Sequence, residues 1–242
     1  NNITMIGQPI GMFYGYITDG VFMNAAELSA GPIYNPGAAD RSRVGDIRFK
    51  DISGPDGIPD GKIDNNDNTI MGNPYPDFYY GMTNSFAYKS FDLSVVFQGS
   101  QGNEVLCVTR DAGYSGRSRV RGYAYTNNYW KSEAEPGDGK TFRPNDTPTG
   151  GCRRPNQNWI DDGSFLRVTN ITLSYMIPEK AAKKILLRSL RVYTTATNPF
   201  LFTNYVSFNP DVSFRGDPLR PGNEANDYPL GKGLLFVLTA SF

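Results

Sequence analysis

The most regular alternation of apolar and polar positions lies at the end of the chain. Leu234, Phe236, Leu238, Ala240 and Phe242 take the even positions, and Gly233, Leu235, Val237, Thr239 and Ser241 the odd ones. One set is wholly apolar, whereas the other becomes small and polar toward the terminus. A two-residue period sustained this long predicts a strand whose two faces meet unlike surroundings. The run also suits a tilted strand crossing a bilayer, which needs about 9–11 residues. A half-buried strand of a water-soluble sandwich would alternate in the same way. The aromatic last residue, with no polar tail behind it, favours the membrane.

The same pattern recurs upstream. Phe78, Tyr80, Met82, Phe86 and Tyr88 alternate with Tyr79, Gly81, Thr83, Ser85 and Ala87. After a tight Lys89-Ser90 connection, Phe91, Leu93, Val95 and Phe97 alternate with Asp92, Ser94, Val96 and Gln98. The spacing predicts a hairpin with arms of about eleven residues, roughly twice the length of an ordinary soluble strand. A further strand carries Ile171, Leu173, Tyr175 and Ile177 on one face and Thr172 and Ser174 on the other. It is expected to begin near Phe165, but Leu166 and Val168 fall on the wrong face, which predicts a bulge or a lumenal apolar patch. A weaker alternation runs from Leu190 to about Phe202, and the lysine-rich stretch 178–189 between the two reads as a short turn or helix.

These runs define the expected fold class: all-β, an antiparallel transmembrane β-barrel segment of about five strands with long extracellular loops. Residues 1–76 are expected to form an extracellular loop region, and 77–242 the C-terminal barrel strands with extracellular loops at 102–163 and 203–230. In bacterial barrels short connections face the periplasm and long ones the exterior. Five strands alternating in this way place the C-terminus on the periplasmic side. Five strands cannot close a barrel, and an open edge in lipid leaves backbone groups unpaired, so the remainder of the barrel is expected from other sequence.

Composition narrows the functional classes. Hydrophobic residues make up 39% of the chain, and 26 glycines and 17 prolines leave much of it to turns. Lys+Arg and Asp+Glu balance at 24 each, so nothing in the charge calls for nucleic acid. There is no histidine, which removes a Ser-His-Asp or Cys-His nucleophile and the commonest zinc ligand. Cys107 and Cys152 are too far apart for a zinc ribbon or a redox CxxC. In an exported protein they would be able to pair, and both the bonded and the thiol states stay open. No run approaches the roughly 18 apolar residues of a spanning helix. The opening Asn-Asn and the lack of a signal peptide suit a processed product or a piece of a longer protein.

Several segments resemble one family. The opening GQPIGMFYGY (7–16) with DGVF (19–22) is similar to the G-x-P-x-G-x-F-Y-G-Y…D-G-I-F motif of the SusC/RagA TonB-dependent outer-membrane transporters of Bacteroidetes. GDIRFKDI (45–52), IMGNPYPDFYYG (70–81) and FDLSVVFQGSQGNEV (91–105) follow in the family's order. FLRVTNITLSYMIP (165–178), LRVYTTATNPFLFTNY (190–205) and YPLGKGLLFVLTASF (228–242) complete the series. The resemblance implies a 22-stranded barrel in the bacterial outer membrane, with an N-terminal plug and energy supplied by TonB. It also implies a SusD-like surface lipoprotein as lid and the import of glycans or peptides. This chain would supply the last five strands. The plug and TonB box lie outside the sequence, so contact with the TonB complex would run through the missing N-terminal part.

Candidate sites are few, and none is catalytic. The paired acids Asp161 and Asp162 sit in a turn before a strand, with no partner acid that the sequence can place, so no enzyme activity is expected. The acidic stretch from Asp56 to Asp67 matches a twelve-residue calcium loop at several places. Asp56, Asp60, Asp64 and Asp67 fall at positions 1, 5, 9 and 12, Gly61 at the sharp turn and the Lys62 carbonyl at position 7. Ile58 at position 3 cannot ligate, and Asp67 is shorter than the usual glutamate. Any Ca²⁺ here would be structural rather than an essential cofactor, and an Asx-rich turn is the competing account. Tyr123, Tyr125, Tyr129, Trp130 and Trp159 supply aromatics for a glycan, for the lid, or for packing within the loop itself. Arg117, Arg119, Arg121, Arg153 and Arg154 would suit an acidic ligand, neighbouring acids or outer-leaflet lipid. Phe236, Leu238 and Phe242 resemble the terminal signal read by the barrel-assembly machinery. The leading expectation is part of an outer-membrane importer; the alternative is a secreted, calcium-stabilised β-domain for glycan binding or adhesion.

Overall fold

The structure is a computed structural model and describes residues 2–108, 127–144, 149–212, 216–224 and 228–242. The chain divides into two compact units: 1–74, 104–161 and 212–226 in one, and 75–103, 162–211 and 227–242 in the other.

The second unit is built on five long strands: β1 (Phe78–Tyr88), β2 (Phe91–Gln101), β3 (Phe165–Ile177), β4 (Ser189–Thr203) and β5 (Gly233–Ser241). They form one sheet in the order β5-β4-β3-β2-β1, with every neighbouring pair antiparallel. All five expected arms are present, at the expected length. The β1–β2 hairpin pairs without interruption from Tyr88↔Phe91 to Phe78↔Gln101. Its two-residue turn sets Lys89 at φ 54°, in the left-handed region, which matches the right-handed twist of the flanking strands. Between β3 and β4, Pro178 ends the strand and a short helix follows at Glu179–Lys183, as the lysine-rich stretch predicts.

The conflict over Leu166 and Val168 is resolved by a bulge that grows across the sheet. Val168 pairs with Phe97 and Asn170 with Val96, so Thr169 is one residue more than β2 can match. On the other side Val168 pairs with Phe200 and Asn170 with Thr197, so β4 inserts both Asn198 and Pro199. One extra residue reverses which face a strand's side chains occupy, whereas two restore it. Leu166 and Val168 therefore return to the face of Ile171, Leu173 and Tyr175. Asn198 takes φ 49° at the bulge, and its Nδ2 donates to the Gly231 carbonyl at 3.1 Å.

The first unit is assembled from strands of two to four residues. Here the structure goes beyond the sequence reading, which treats these stretches as long loops: their described parts have cores of their own. One cluster gathers Tyr16, Val21, Tyr34, Ile47, Phe49, Ile63, Phe142 and Cys152. A second gathers Phe13, Met71, Leu106 and Trp159. Tyr16 sits edge-on to Tyr34, with ring centroids 6.2 Å apart, and 5.0 Å from Phe49. The opening segment is locked to 155–157, since Tyr16 N–H donates to the Pro155 carbonyl and Gln157 N–H to that of Tyr16. A Cβ at Gly15 would run into the Pro155 carbonyl, so this approach requires glycine. Asp46 has no exposed side-chain surface and binds Arg143 Nε at 3.0 Å and Thr149 Oγ1 at 2.6 Å. Burial pushes its carboxyl above the usual range, with Thr149 and Arg143 pulling the other way.

Candidate functional site

Cross-strand register sorts the sheet into two faces. One carries Tyr80, Met82, Phe86 and Tyr88 from β1, and Phe91, Leu93, Val95 and Phe97 from β2. The register continues it through Leu173 and Tyr175 of β3 and Val192, Phe200 and Phe202 of β4 to Leu234, Phe236 and Leu238 of β5. These are large apolar side chains turned outward: Leu234, Phe236 and Leu238 are 64, 71 and 65% exposed. A contiguous apolar surface on this scale marks an interaction with another molecule or with a membrane.

Aromatics gather at both ends of that face. Phe91 and Tyr175 lie 4.5 Å apart between ring centroids beside Tyr88, while Phe200 and Phe202 stack at 6.4 Å near Tyr80. Tyr80 and Tyr88 are eight residues apart on one strand. At ~3.4 Å per residue and a tilt of ~40°, that separation projects to about 20 Å along a barrel axis, close to the ~25 Å apolar band between the aromatic girdles of outer-membrane barrels. Tyr80 lies across Gly99 and donates its hydroxyl to the Phe165 carbonyl at 2.9 Å. Its polar tip is thereby satisfied where the sheet leaves the apolar band.

The opposite face carries the sheet's polar side chains, with Tyr79, Leu235 and Val237 among them. Thr172 and Thr195 hydroxyls meet at 2.9 Å, and Arg191 donates to Ser174 Oγ at 2.8 Å with Asp92 at 3.7 Å. A small cavity of about 160 Å³ lies among Ser94, Thr172, Ser174 and Arg191. Near the other end Arg167, buried, bonds Asn209 at 2.8 Å and faces Asp211 at 3.6 Å, stacked over the Phe165 ring at 4.8 Å. Such a face suits a wet or plugged interior.

The remaining candidate residues are placed as follows. Phe236, Leu238 and Phe242 stand on or follow β5, and Phe242 is 85% exposed. Among the described residues no group of three or more acidic, cysteine or histidine side chains is placed to hold a metal. Asp64 and Asp67 form instead a capping box around the short helix Asn65–Asp67. Asp67, buried, accepts from Ile52 N–H at 2.9 Å and Asp64 N–H at 2.9 Å. Asp60 accepts from Lys62 N–H, and Gly61 takes φ 82° at the sharp turn. Asp56 is exposed. Trp159 is 3% exposed inside the second core, and Trp130 packs on the first with its indole N–H donating to the Met23 carbonyl. Trp159 is a packing residue, whereas Trp130 packs on the core and keeps part of its surface exposed. Tyr129 is half-buried. Tyr123, Tyr125, Arg117, Arg119 and Arg121 lie outside the described residues. Arg154 donates to Tyr34 Oη at 3.1 Å. Cys107 and Cys152 are buried thiols, Cys107 donating to Glu224 at 3.2 Å.

Long antiparallel arms, an exposed apolar face between two aromatic rows and a polar face behind it define a segment of an outer-membrane β-barrel. Among the described residues no helix is long and apolar enough to cross a membrane. No family model matches the chain. TonB-dependent receptor P3 of Formosa agariphila is 32% identical over 211 residues, covering 87% of this chain and 19% of that protein. TonB-dependent receptor SusC of Bacteroides thetaiotaomicron is 29% identical over 186 residues, covering 75% of this chain and 17% of the receptor. The RagAB peptide importer in its closed-closed state superposes over the whole chain and 24% of its own, with TM-score 0.70 and 20% identity. The chain belongs to the SusC/RagA family of TonB-dependent receptors, a family of transporters rather than enzymes. It spans about a fifth to a quarter of the length of the relatives it matches.

Proposed function

We propose that this chain is the C-terminal part of the barrel of an outer-membrane importer that takes up glycans or peptides too large for porins. The single observation carrying the proposal is the exposure of Leu234, Phe236 and Leu238 along one face of a sheet whose arms are long enough for a bilayer. Hydrocarbon removes that surface from water, at roughly 25 cal/mol per Å². The outer edges of β1 and β5 have no neighbouring strand among the described residues. In lipid each unpaired backbone group costs several kcal/mol, so strands from the remainder of the barrel flank both edges and a plug fills the interior.

The orientation follows from connection length. The turn at 89–90 and the connection 178–188 face the periplasm, as does the end of β5, and the long connections face outward. There they would meet a SusD-like lipoprotein lid, and TonB would supply energy through the plug. The likeness to the RagAB peptide importer supports the peptide class, and the glycan class rests on the resemblance to the SusC/RagA family. Phe236, Leu238 and Phe242 would serve as the terminal signal for barrel assembly.

The full-length protein provides the test. Isolated from outer membranes in mild detergent, it should carry a SusD-type lipoprotein, and cells should lose uptake of labelled oligosaccharide or peptide when TonB is removed. Uptake that survives loss of TonB, or isolation without the lipoprotein, overturns the assignment.

A further inference from the structure

The end of the sheet bearing the short connections is more than a set of turns. Met176 N–H donates to the Ser90 carbonyl at 2.8 Å, joining the β1–β2 turn to the end of β3. Arg188 N–H donates to the Ser241 carbonyl at 2.8 Å, joining the β3–β4 connection to the end of β5. The connection is itself folded. Leu187 N–H returns to the Ala182 carbonyl, and Leu186 takes φ 61°. These bonds make one continuous rim across the width of the sheet.

Two observations tip that rim toward the apolar face. The helix Glu179–Lys183 packs against β4 and buries Ala182. Leu190, at the start of β4, is also buried, although Val192 and Leu238 on the same face stand open. At the neighbouring turn, Lys89 Nζ lies 5.3 Å from the centroid of the Tyr88 ring, and Tyr88 belongs to the apolar face.

What the rim presents is amphipathic. Ile185 and Leu186 are 58 and 89% exposed, and Lys180, Lys184 and Arg188 are exposed beside them. Lys183 pairs with Glu179 at 2.6 Å, which leaves the local excess of charge positive. An apolar pair flanked by cations, directly beyond the aromatic row of Tyr88, Phe91 and Tyr175, matches the layered chemistry of a membrane surface. Aliphatic side chains meet acyl chains, rings sit at the boundary, and long cationic side chains reach the phosphate layer.

We infer that this rim is a binding site for the headgroups of anionic phospholipids in the leaflet at the short-connection end. Lys180, Lys184 and Arg188 contact the phosphates, while Ile185 and Leu186 insert between the chains. The inference rests on the membrane reading above and adds a lipid preference to it. A basic residue held at an anionic surface strengthens attachment about fivefold, so three together contribute on the order of a hundredfold at low salt. The preference fades as ionic strength rises, because exposed charges are screened.

The experiment uses the full-length protein in nanodiscs of phosphatidylcholine mixed with phosphatidylglycerol, released into the gas phase to count the lipids it retains. Wild type should retain phosphatidylglycerol over phosphatidylcholine. K180Q/K184Q/R188Q should lose that preference by about a hundredfold and K184Q alone by about fivefold, while K180R/K184R keeps it. Equal retention of the two lipids by wild type, or undiminished preference in K184Q and the triple variant, overturns the inference and leaves the membrane reading standing. Wild-type protein that does not enter the nanodiscs at all overturns both.

Discussion

Asp67 is buried, and its carboxylate accepts backbone N–H groups from Ile52 and Asp64, tying two stretches of chain together. Replacing it with alanine leaves those donors without an acceptor, at a cost of about 1–3 kcal/mol. Unfolding of the full-length protein should show that loss equally in Ca²⁺ and in chelator if the capping box alone holds the loop. A Ca²⁺-dependent rise in stability that Asp67→Ala abolishes would instead establish the structural calcium site. The sequence marked the right segment, since closely spaced aspartates and Gly61 do make a tight Asx-rich turn. It gave no sign of where each carboxylate points, because ligand spacing along a chain does not imply convergence in space. Trp159 carries the same lesson. It follows a run of polar residues (156–158), and the buried residues of its cluster, Phe13, Met71 and Leu106, are all distant along the chain.

The elements that could be read were those with a sustained period. Alternation persists through β1, β2 and β5, so side-chain pattern and pairing agree residue by residue. In β3 the pattern contradicted itself at Leu166 and Val168, and the contradiction located the bulge. The strands of the first unit, at two to four residues, are too short to carry a period, which is why its two cores were invisible in the sequence. The bulge has a consequence that can be measured. Deleting Thr169 restores one-to-one pairing with β2 and leaves Val168 opposite Phe97 and Leu166 opposite Gly99, so both stay on the apolar face and Arg167 on the polar one. The variant should lose only about 0.5–1.5 kcal/mol, the worth of the hydrogen bond from the Thr169 hydroxyl to the Val96 carbonyl. A much larger fall in the denaturant midpoint of the full-length protein would overturn this account of the faces, since it would mean that the deletion turns Leu166 and Val168 away from the apolar face.

At the scale of the whole molecule, the decisive matter is which medium each face meets, and adjacent positions on one strand can be made to report it. Leu238 and Val237 lie at nearly the same depth, but Leu238 shares its face with Val192, and Val237 shares the other with Tyr193. If the apolar face meets hydrocarbon, Leu238→Arg brings a charge to the lipid and should cost about 2–4 kcal/mol at mid-membrane, less toward the interface. Val237→Arg enters a surface that already holds Arg191 and threonine hydroxyls, where water or a polar plug can solvate it, and should cost under about 1 kcal/mol. A soluble sandwich would rank the two substitutions in the same order, because its apolar face would form the core; it is told apart by folding in water without bilayer or detergent. Folding of the two variants of the full-length protein into bilayers, followed by denaturant titration, compares them directly. Equal costs, or a larger cost at Val237, would mean that the sheet's apolar face is not its lipid face.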